Sequence, residues 1–419
     1  MFEAFKEEHY KDASAAQMFH ELLSAISKVV NLAEYKDVNH AQRVAVYSLR
    51  LAESIGMSDP FELTQIYCAG LLHDIGEIGI PDFLLFRKGK LNEDEFQLLT
   101  THTRLGKQIA EEIPFLKEGA RIILWHHERY DGTGYPEGLC GRETPLEAQI
   151  VSLCDALDNI RRGGLFSEPA QWKQELTRFS AIQFNPNLVL PAIRLVESGA
   201  LEKIELSEDE ISLLKVIDED KELSSQLKEN FISIIVNFFG TLIEAKHKDS
   251  AAHSKRVSRL ARRIGERMGL SELELDTLEL AGFLHDIGKM GVPSSVLDKP
   301  GALTKEEFEL VKKHPEYSAE ILAPLLGFKE VAVAVKHHHE KWDGTGYPDG
   351  LARYDIPLFS RIVFLADVAD ALAHLPEVSA DRAKREGARI SDSYGSSFDP
   401  SLSRYYKEEM DLEWLEREA

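Results

Sequence analysis

The stretch SELELDTLELAGFLHDIGKMGVP, residues 271 to 293, decides the fold of the second half of the chain. Ser271 followed by Glu274 is a capping-box pattern, and the apolar run after it predicts a helix. The glycines and the proline that follow predict the end of that helix, so that His285 and Asp286 emerge side by side. An adjacent imidazole and carboxylate suit a pair of metal ions. By itself the dipeptide is a weak indication, because a helix-terminal histidine beside an exposed aspartate has the same letters.

The same pattern occurs earlier in the chain, within a set of segments that keep a nearly constant spacing. The paired segments are LLHDIGEIGIP (71–81) with FLHDIGKMGVP (283–293), THTRLG (101–106) with KHPEYS (313–318), HHERYDGTGYPEGL (126–139) with HHEKWDGTGYPDGL (338–351), and IVSLCDALD (150–158) with IVFLADVAD (362–370). All four pairs are offset by 212 residues, and a fifth pair, NHAQRV (39–44) with AHSKRV (252–257), is offset by 213. Two copies of so long a period indicate two similar domains rather than a solenoid.

The predicted fold class is all-α, with two tandem helical domains joined by a helical connector. Residues 18–35 and 256–269 place their apolar side chains largely on one helical face, and strand-like alternation is scarce. We expect domains at residues 1–205 and 230–419. The acidic segment at residues 206–229 has apolar residues at helical spacing and is the expected connector.

Composition excludes several classes of function. The 419 residues carry a net charge of -22, which disfavours DNA or RNA as a partner, although a small phosphate ligand remains open if metal ions supply positive charge. Three cysteines, an odd and sparse set, argue against a disulfide scaffold and fit a reducing cytoplasm. The N-terminus lacks the apolar core of a signal peptide. The run at 231–245 is too short for a membrane span and is expected to be a buried helix.

Each half repeats the same set of potential ligands: an upstream histidine, an HD pair, a single histidine, an HH pair, and an aspartate inside an apolar helix. The aspartates, Asp155 and Asp367, are informative because a buried carboxylate needs a partner, and a cation is one. A set of this size that occurs twice predicts a multinuclear metal site built from histidine and aspartate.

These residues resemble the HD-GYP subgroup of the HD phosphohydrolases, whose signatures HDIGK and HHExxDGxGYP match residues 285–289 and 338–348. The resemblance covers most of residues 230–400 and, more loosely, 16–200. It implies an all-helical metallo-phosphodiesterase that opens a cyclic dinucleotide, cyclic di-GMP above all and in some members 3′,3′-cGAMP. It also implies two or three divalent ions in each active site, with iron or manganese favoured, although zinc fits the same ligand types.

The resemblance assigns roles residue by residue. In the C-terminal half it makes metal ligands of His253, His285, Asp286, His314, His338, His339 and Asp367. In the N-terminal half the corresponding residues are His40, His73, Asp74, His102, His126, His127 and Asp155. Asp286 would bridge two metals, Lys289 would hold a non-bridging phosphate oxygen, and Asp249 would bind a third metal. We expect His337 to lie outside the ligand set, because the first copy has Trp125 there.

The two copies depart from the family pattern in different ways. The first copy reads HDIGE, so Glu77 replaces the phosphate-facing lysine, and repulsion is added to the lost contact. We therefore expect a metal-binding but weak or regulatory N-terminal domain. The second copy lacks the usual arginine and lysine after the DxxDAL helix, where only Arg382 or Lys384 remain as substrate-binding candidates. This leaves the choice of dinucleotide open.

Two other functions remain open from the sequence. One is a non-hydrolysing cyclic dinucleotide receptor or scaffold, against which Lys289 beside a complete ligand set argues. The other is a mononucleotide phosphohydrolase of the wider HD superfamily, against which the GYP loops argue. The loop could also meet a signalling protein partner, and the oligomeric state is open.

Overall fold

The computed structural model describes residues 2–33, 39–87, 89–162, 169–205, 212–247, 250–373 and 393–405. No strand occurs in these ranges, where the only β-type pairing consists of isolated bridges. The predicted all-α fold class is confirmed. The α-helices in chain order are α1 (Glu3–His9), α2 (Ala15–Ala33), α3 (His40–Ser54), α4 (Pro60–Leu72), α5 (Asp82–Leu85), α6 (Glu93–Glu111), α7 (Lys117–Trp125), α8 (Leu146–Arg162), α9 (Pro169–Arg178), α10 (Pro186–Glu197), α11 (Val216–Glu219), α12 (Lys221–Lys246), α13 (Ser250–Met268), α14 (Glu272–Leu284), α15 (Ser294–Leu297), α16 (Lys305–Val311), α17 (His314–Leu322), α18 (Lys329–Lys336) and α19 (Leu358–Ala373).

The chain forms two compact units. The N-terminal unit is Ser14–Phe238, and the C-terminal unit combines Met1–Ala13 with Phe239–Ala419. The predicted connector at 206–229 is described from residue 212 onward, and there it belongs to the N-terminal unit. The division between the units falls inside α12, which also contains the apolar run at 231–245. Among the described residues, none of the helices combines the length and apolar character that crossing a bilayer requires.

One central helix organises each unit, α4 in the first and α14 in the second. Helix α14 begins with the capping box that the sequence predicts, in which Ser271 and Glu274 satisfy each other's backbone N–H groups. It packs against α13, α18 and α19, and α4 packs in the same way against α3, α7 and α8. Both helices are buried along most of their length, which places the residues that follow them inside the unit.

Close helix contacts in this core require glycine at two motif positions. A Cβ atom on Gly282 of α14 would lie 2.8 Å from Ser258 Cα, which is too close for any side chain. A Cβ on Gly288, the glycine of HDIGK, would lie 2.0 Å from the carbonyl oxygen of His314. The second contact brings the start of α17 directly against the HD pair. The Ser318 hydroxyl secures it by donating to the His285 carbonyl at 2.8 Å.

The first helix of the chain packs into the C-terminal unit. Phe5 is fully buried, its ring lies 5.5 Å from the ring of Phe328, and its N–H donates to the Asp276 carboxylate at 3.3 Å. Asp276 belongs to α14, and Phe328 immediately precedes α18. These two helices end at the HD and HH pairs, so α1 supports the elements that present both pairs.

We predict that Phe5→Ala destabilises the C-terminal unit by about 3 kcal/mol, because it removes a fully buried aromatic side chain. Hydrogen exchange of the full chain, followed by mass spectrometry, should show faster exchange in α14 and unchanged exchange in α4. The matched control is Phe308→Ala, since Phe308 lies in the same unit but is 44% exposed, and it should cost less than about 1 kcal/mol. Unchanged protection of α14 in Phe5→Ala would contradict the prediction.

Candidate metal centres

The HD pair of each unit lies where its central helix ends. His285 directly follows α14, and Asp286 precedes the 3₁₀ turn Ile287–Gly291. The Nδ1 atom of His285 is 2.8 Å from the Gly282 carbonyl oxygen, and since a carbonyl only accepts, Nδ1 carries the proton. The lone pair is therefore on Nε2. That atom points toward the centre of the unit, 3.3 Å from the Asp286 carboxylate.

The same hydrogen bond recurs for the buried histidines of both units. In each case Nδ1 donates to the carbonyl oxygen three residues earlier, at 2.6 to 2.8 Å, for His73, His102, His126, His285, His314 and His338. This bond fixes both the tautomer and the ring orientation, which is how metal-binding histidines are held. Six Nε2 atoms are thereby directed into two centres, three in each unit.

In the C-terminal unit all seven predicted ligands come together. Their potential ligating atoms fall into three overlapping groups, each within 4.8 Å: His253, His285 and Asp367; His285, Asp286 and His338; His314, His338 and His339. Asp286 connects the groups, because its Oδ2 lies 3.3 Å from His285 Nε2 and its Oδ1 lies 3.3 Å from His314 Nε2. One carboxylate therefore faces histidines on two sides.

The N-terminal unit brings its seven predicted ligands together in the same way. One group contains His40, His73 and Asp155, and the other contains Asp74, His102, His126 and His127. Asp74 again lies between them. Its Oδ2 is 3.1 Å from His73 Nε2, and its Oδ1 is 3.5 Å from His126 Nε2.

Unsatisfied polar atoms show that these centres suit cations. The buried atoms without a hydrogen-bond partner in the described structure include Nε2 of His73, His102, His126 and His285 and Oδ1 of Asp74. A buried polar atom that lacks a partner costs free energy, and here such atoms of several residues face one another. A divalent cation would satisfy them together, so the residues present fit the metals that the resemblance implies.

Burial and neighbouring charge set the ionisation of the ligands. Burial acts to raise the pKa of Asp286, but the charges of His285 and Lys289 outweigh it and hold that pKa well below its usual range. Burial, together with the charges of His314 and Lys289, lowers the pKa of His339 to about 3. Both groups are thus in the state that binds metal. For His253, burial lowers the pKa, but two nearby carboxylates outweigh it and raise the value to about 9.

Asp370 and Asp158, which the sequence analysis did not single out, contact the upstream histidine of each unit. The Asp370 carboxylate accepts from His253 Nδ1 at 2.7 Å and from the Arg256 guanidinium at 2.7 and 3.0 Å. Asp158 and Arg43 form the same arrangement around the upstream histidine of the N-terminal unit. The signal was present in the spacing, because each aspartate lies three residues after a predicted ligand and so on the same helical face.

The glutamate of the HHE motif was also missed, and it holds the glycine-rich loop. Glu128 accepts from the backbone N–H groups of residues 137, 138 and 139 at 2.7 to 3.1 Å, and Glu340 accepts from Asp349 N at 2.7 Å. The loop then places Tyr347 against the His339 ring, with centroids 5.0 Å apart. The loop therefore positions the second histidine of the pair.

Other predicted residues lie at the edge of the centre or outside the described chain. Lys289 Nζ is 2.5 Å from Asp286 Oδ2. The lysine side chain is 35% exposed, so part of it is accessible to solvent at the edge of the centre. His337 lies apart from the ligand groups and contacts the Asp349 carboxylate at 2.9 Å. Asp249, Arg382 and Lys384 are outside the described residues.

Comparison with known protein families agrees with this architecture. The family model described as HD domain matches residues 25–180 and 237–402. The chain belongs to the HD domain family, and its HDIGK and GYP motifs place it in the HD-GYP subgroup.

Several characterised relatives cover different shares of the chain. The 3′3′-cGAMP-specific phosphodiesterase 3 of Vibrio cholerae is 31% identical over 326 residues, which are 77% of this chain and 69% of the relative. The 3′3′-cGAMP-specific phosphodiesterase 1 of the same organism is 26% identical and covers 83% of this chain and 81% of the relative. A cyclic di-GMP phosphodiesterase of Thermotoga maritima is 41% identical over 34% of this chain, and the match spans 40% of that protein.

A solved structure has the same fold. The crystal structure of a cyclic GMP-AMP specific phosphodiesterase of V. cholerae, V-cGAP3, aligns with a TM-score of 0.62 over 94% of this chain and 97% of that chain. The sequence identity in this alignment is 24%. The likeness therefore concerns the fold.

We predict that Asp370→Asn weakens metal binding by the C-terminal centre about 10- to 100-fold, because His253 loses the carboxylate that orients it. Asp158→Asn is the matched control and should weaken only the N-terminal centre. Both effects are measured by competition with a chelator, in which the amount of metal retained per chain is determined. Equal retention by wild type and Asp370→Asn would show that the carboxylate does not support the ligand.

Proposed function

We propose that this chain is a metal-dependent phosphodiesterase that hydrolyses a cyclic dinucleotide, with the chemistry in the C-terminal unit. The observation that carries the proposal is the complete ligand set around Asp286 with the Lys289 ammonium group 2.5 Å from the same carboxylate. The two relatives that match most of the chain are named as 3′3′-cGAMP-specific phosphodiesterases. The relative with the shorter match is named as a cyclic di-GMP phosphodiesterase. Cyclic di-GMP and 3′,3′-cGAMP are therefore the candidate substrates, with a linear dinucleotide as product.

The proposed metal ligands of the C-terminal unit are His253, His285, Asp286, His314, His338, His339 and Asp367. Asp286 is the proposed bridge, since its two oxygens face different histidines. The mixed nitrogen and oxygen set suits iron or manganese. Two ions match the two sides of Asp286, and a third would depend on Asp249.

Divalent metals bound there would lower the pKa of a coordinated water for attack at phosphorus and neutralise charge on the phosphate oxygens. The chain's own residues supply orientation and further charge. Lys289 would donate to a non-bridging oxygen, where positive charge stabilises the transition state more than the ground state. Asp370 would hold the His253 ring in its orientation, and Glu340 would hold the loop that positions the HH pair.

The glycine-rich loop after the HH pair, with Asp343 and Thr345 exposed, is the candidate surface for a signalling partner.

The N-terminal unit is proposed as a metal-binding, regulatory or supporting domain. Its seven ligands have the same arrangement, but Glu77 stands where the other unit has Lys289. This change replaces one positive charge by one negative charge beside the position of the phosphate. An anionic substrate would be repelled there while the cations would still be held.

The first test compares paired ligand substitutions in protein purified without oxygen and loaded with Fe²⁺ or Mn²⁺. We predict that His285→Ala/Asp286→Ala abolishes hydrolysis of both cyclic dinucleotides, because it removes the proposed bridge Asp286 and a second ligand. His73→Ala/Asp74→Ala is the matched variant and should retain most activity. Chromatography of the linear product provides the measurement.

Other outcomes of this test discriminate between functions. Equal loss in both variants, with unfolding midpoints unchanged, would mean that the two centres are coupled. Binding of cyclic dinucleotide without any turnover in wild type would favour a receptor. Turnover of mononucleotides alone would favour a phosphohydrolase of the wider HD superfamily.

A charge series at residue 289 tests its role in binding phosphate. We predict that Lys289→Met lowers kcat/KM about 10- to 100-fold by removing one charge-assisted hydrogen bond. Lys289→Glu, which copies the N-terminal unit, should lower it further because repulsion is added. Metal content should stay near the wild-type value in both variants. If the two variants lost activity equally and also lost metal, Lys289 would be acting on the metal site instead.

A further inference from the structure

A small cavity opens beside the proposed catalytic centre of the C-terminal unit. Its volume is about 140 Å³, and Asp286 and Lys289 form part of its wall. A space of this size is below that of ordinary ligand pockets and suits a phosphate group rather than a whole dinucleotide. The remaining polar side chains of the wall are Lys246 at the end of α12, His247 after it, and Ser250 at the start of α13.

The cavity wall carries three basic side chains and one carboxylate, Asp286, although the chain as a whole carries a net charge of -22. Lys246 is only 8% exposed, and it lines the cavity from the end of α12. His247 lies at the rim, 44% exposed, with Nε2 3.2 Å from the Asp298 carboxylate. Together with Lys289, these side chains form what we call the cationic wall.

The two repeats differ in all three positions of the cationic wall. At the offset that aligns His40 with His253, Lys246 and His247 correspond to Ala33 and Glu34. At the offset that aligns the HD pairs, Lys289 corresponds to Glu77. The seven proposed ligands are the same in both units. The two units therefore differ in the charge of the residues beside the ligands. These residues are basic in the C-terminal unit and neutral or acidic in the N-terminal unit.

We propose that Lys246, assisted by His247, binds phosphate oxygens of the substrate alongside Lys289. This inference rests on the proposed function and names residues that determine substrate affinity at the same centre. It places basic side chains at this centre in a chain that lacks the usual arginine and lysine after the DxxDAL helix. A charge-assisted contact to phosphate is strong enough to change affinity about tenfold or more.

The test uses the full metal-loaded chain with Lys246→Met, Lys246→Arg and His247→Gln. We expect Lys246→Met to raise the KM for cyclic di-GMP and 3′,3′-cGAMP about tenfold or more with little change in kcat. Lys246→Arg should restore most of the affinity, and His247→Gln should have a smaller effect because its side chain is half exposed. Lys329→Met is the matched control, since it removes the same charge from an exposed position at the start of α18, the end far from His338.

Metal content and the midpoint of unfolding separate phosphate binding from a structural role. Both should be unchanged in Lys246→Met. An unchanged KM would overturn the inference. So would a raised KM that Lys246→Arg does not restore and that accompanies loss of metal, because Lys246 would then be shaping the metal site.

Failure of the proposed function can be recognised separately. If wild type hydrolyses neither cyclic dinucleotide, the proposed function fails, and equilibrium dialysis of cyclic di-GMP against metal-free protein still measures the cationic wall. Binding that is about tenfold weaker in Lys246→Met than in wild type would support the inference. Equal binding by the two proteins, or no binding by wild type, would overturn it.

Discussion

The structure depends on one constraint, which is that buried imidazoles must face one another around a buried carboxylate. Each of six histidines donates from Nδ1 to a carbonyl oxygen three residues earlier. Nε2 is therefore unprotonated, and the orientation of the ring is fixed. His73 and His285 make this bond where the central helices α4 and α14 end, whereas His102 makes it inside the longer helix α6. At the ends of the central helices, the close-packed glycines and the turns that follow hold the histidine rings in this orientation.

The motif letters around the ligands have direct physical reasons. The glycine of HDIGK is required because any side chain there would meet the His314 carbonyl oxygen, and the first copy has the same contact between Gly76 and His102. The glutamate of HHE accepts backbone N–H groups of the loop that follows, and the loop tyrosine then packs on the second histidine. Substitution at these positions would move ligands, although none of these side chains belongs to the ligand groups.

The sequence could predict the all-α class and the fourteen clustered residues, because the repeat itself separates the recurrent positions from chance occurrences. The spacing marks Asp370 as a residue on the same helical face as Asp367, but the contacts of Asp370 with His253 and Arg256, more than a hundred residues away in the chain, come only from the structure. The sequence also could not predict that α1 packs into the C-terminal unit. Phe5 gives only the signal of a short apolar face, and its partners, Asp276 of α14 and Phe328 just before α18, are distant in the chain.

Stability and catalysis depend on different residues of these centres. The buried ligands matter for both, whereas the charged residue beside the phosphate position matters for catalysis. Glu77 is only partly buried, so a carboxylate in place of the lysine is compatible with the fold of the N-terminal unit. A unit that loses a ligand leaves several buried polar atoms unsatisfied, and each such atom costs about 1 to 3 kcal/mol. An N-terminal unit released from catalysis would therefore keep all seven ligands and lose the cations around them. The N-terminal unit has this combination of residues: all seven ligand positions are kept, and Glu77 stands where the C-terminal unit has Lys289.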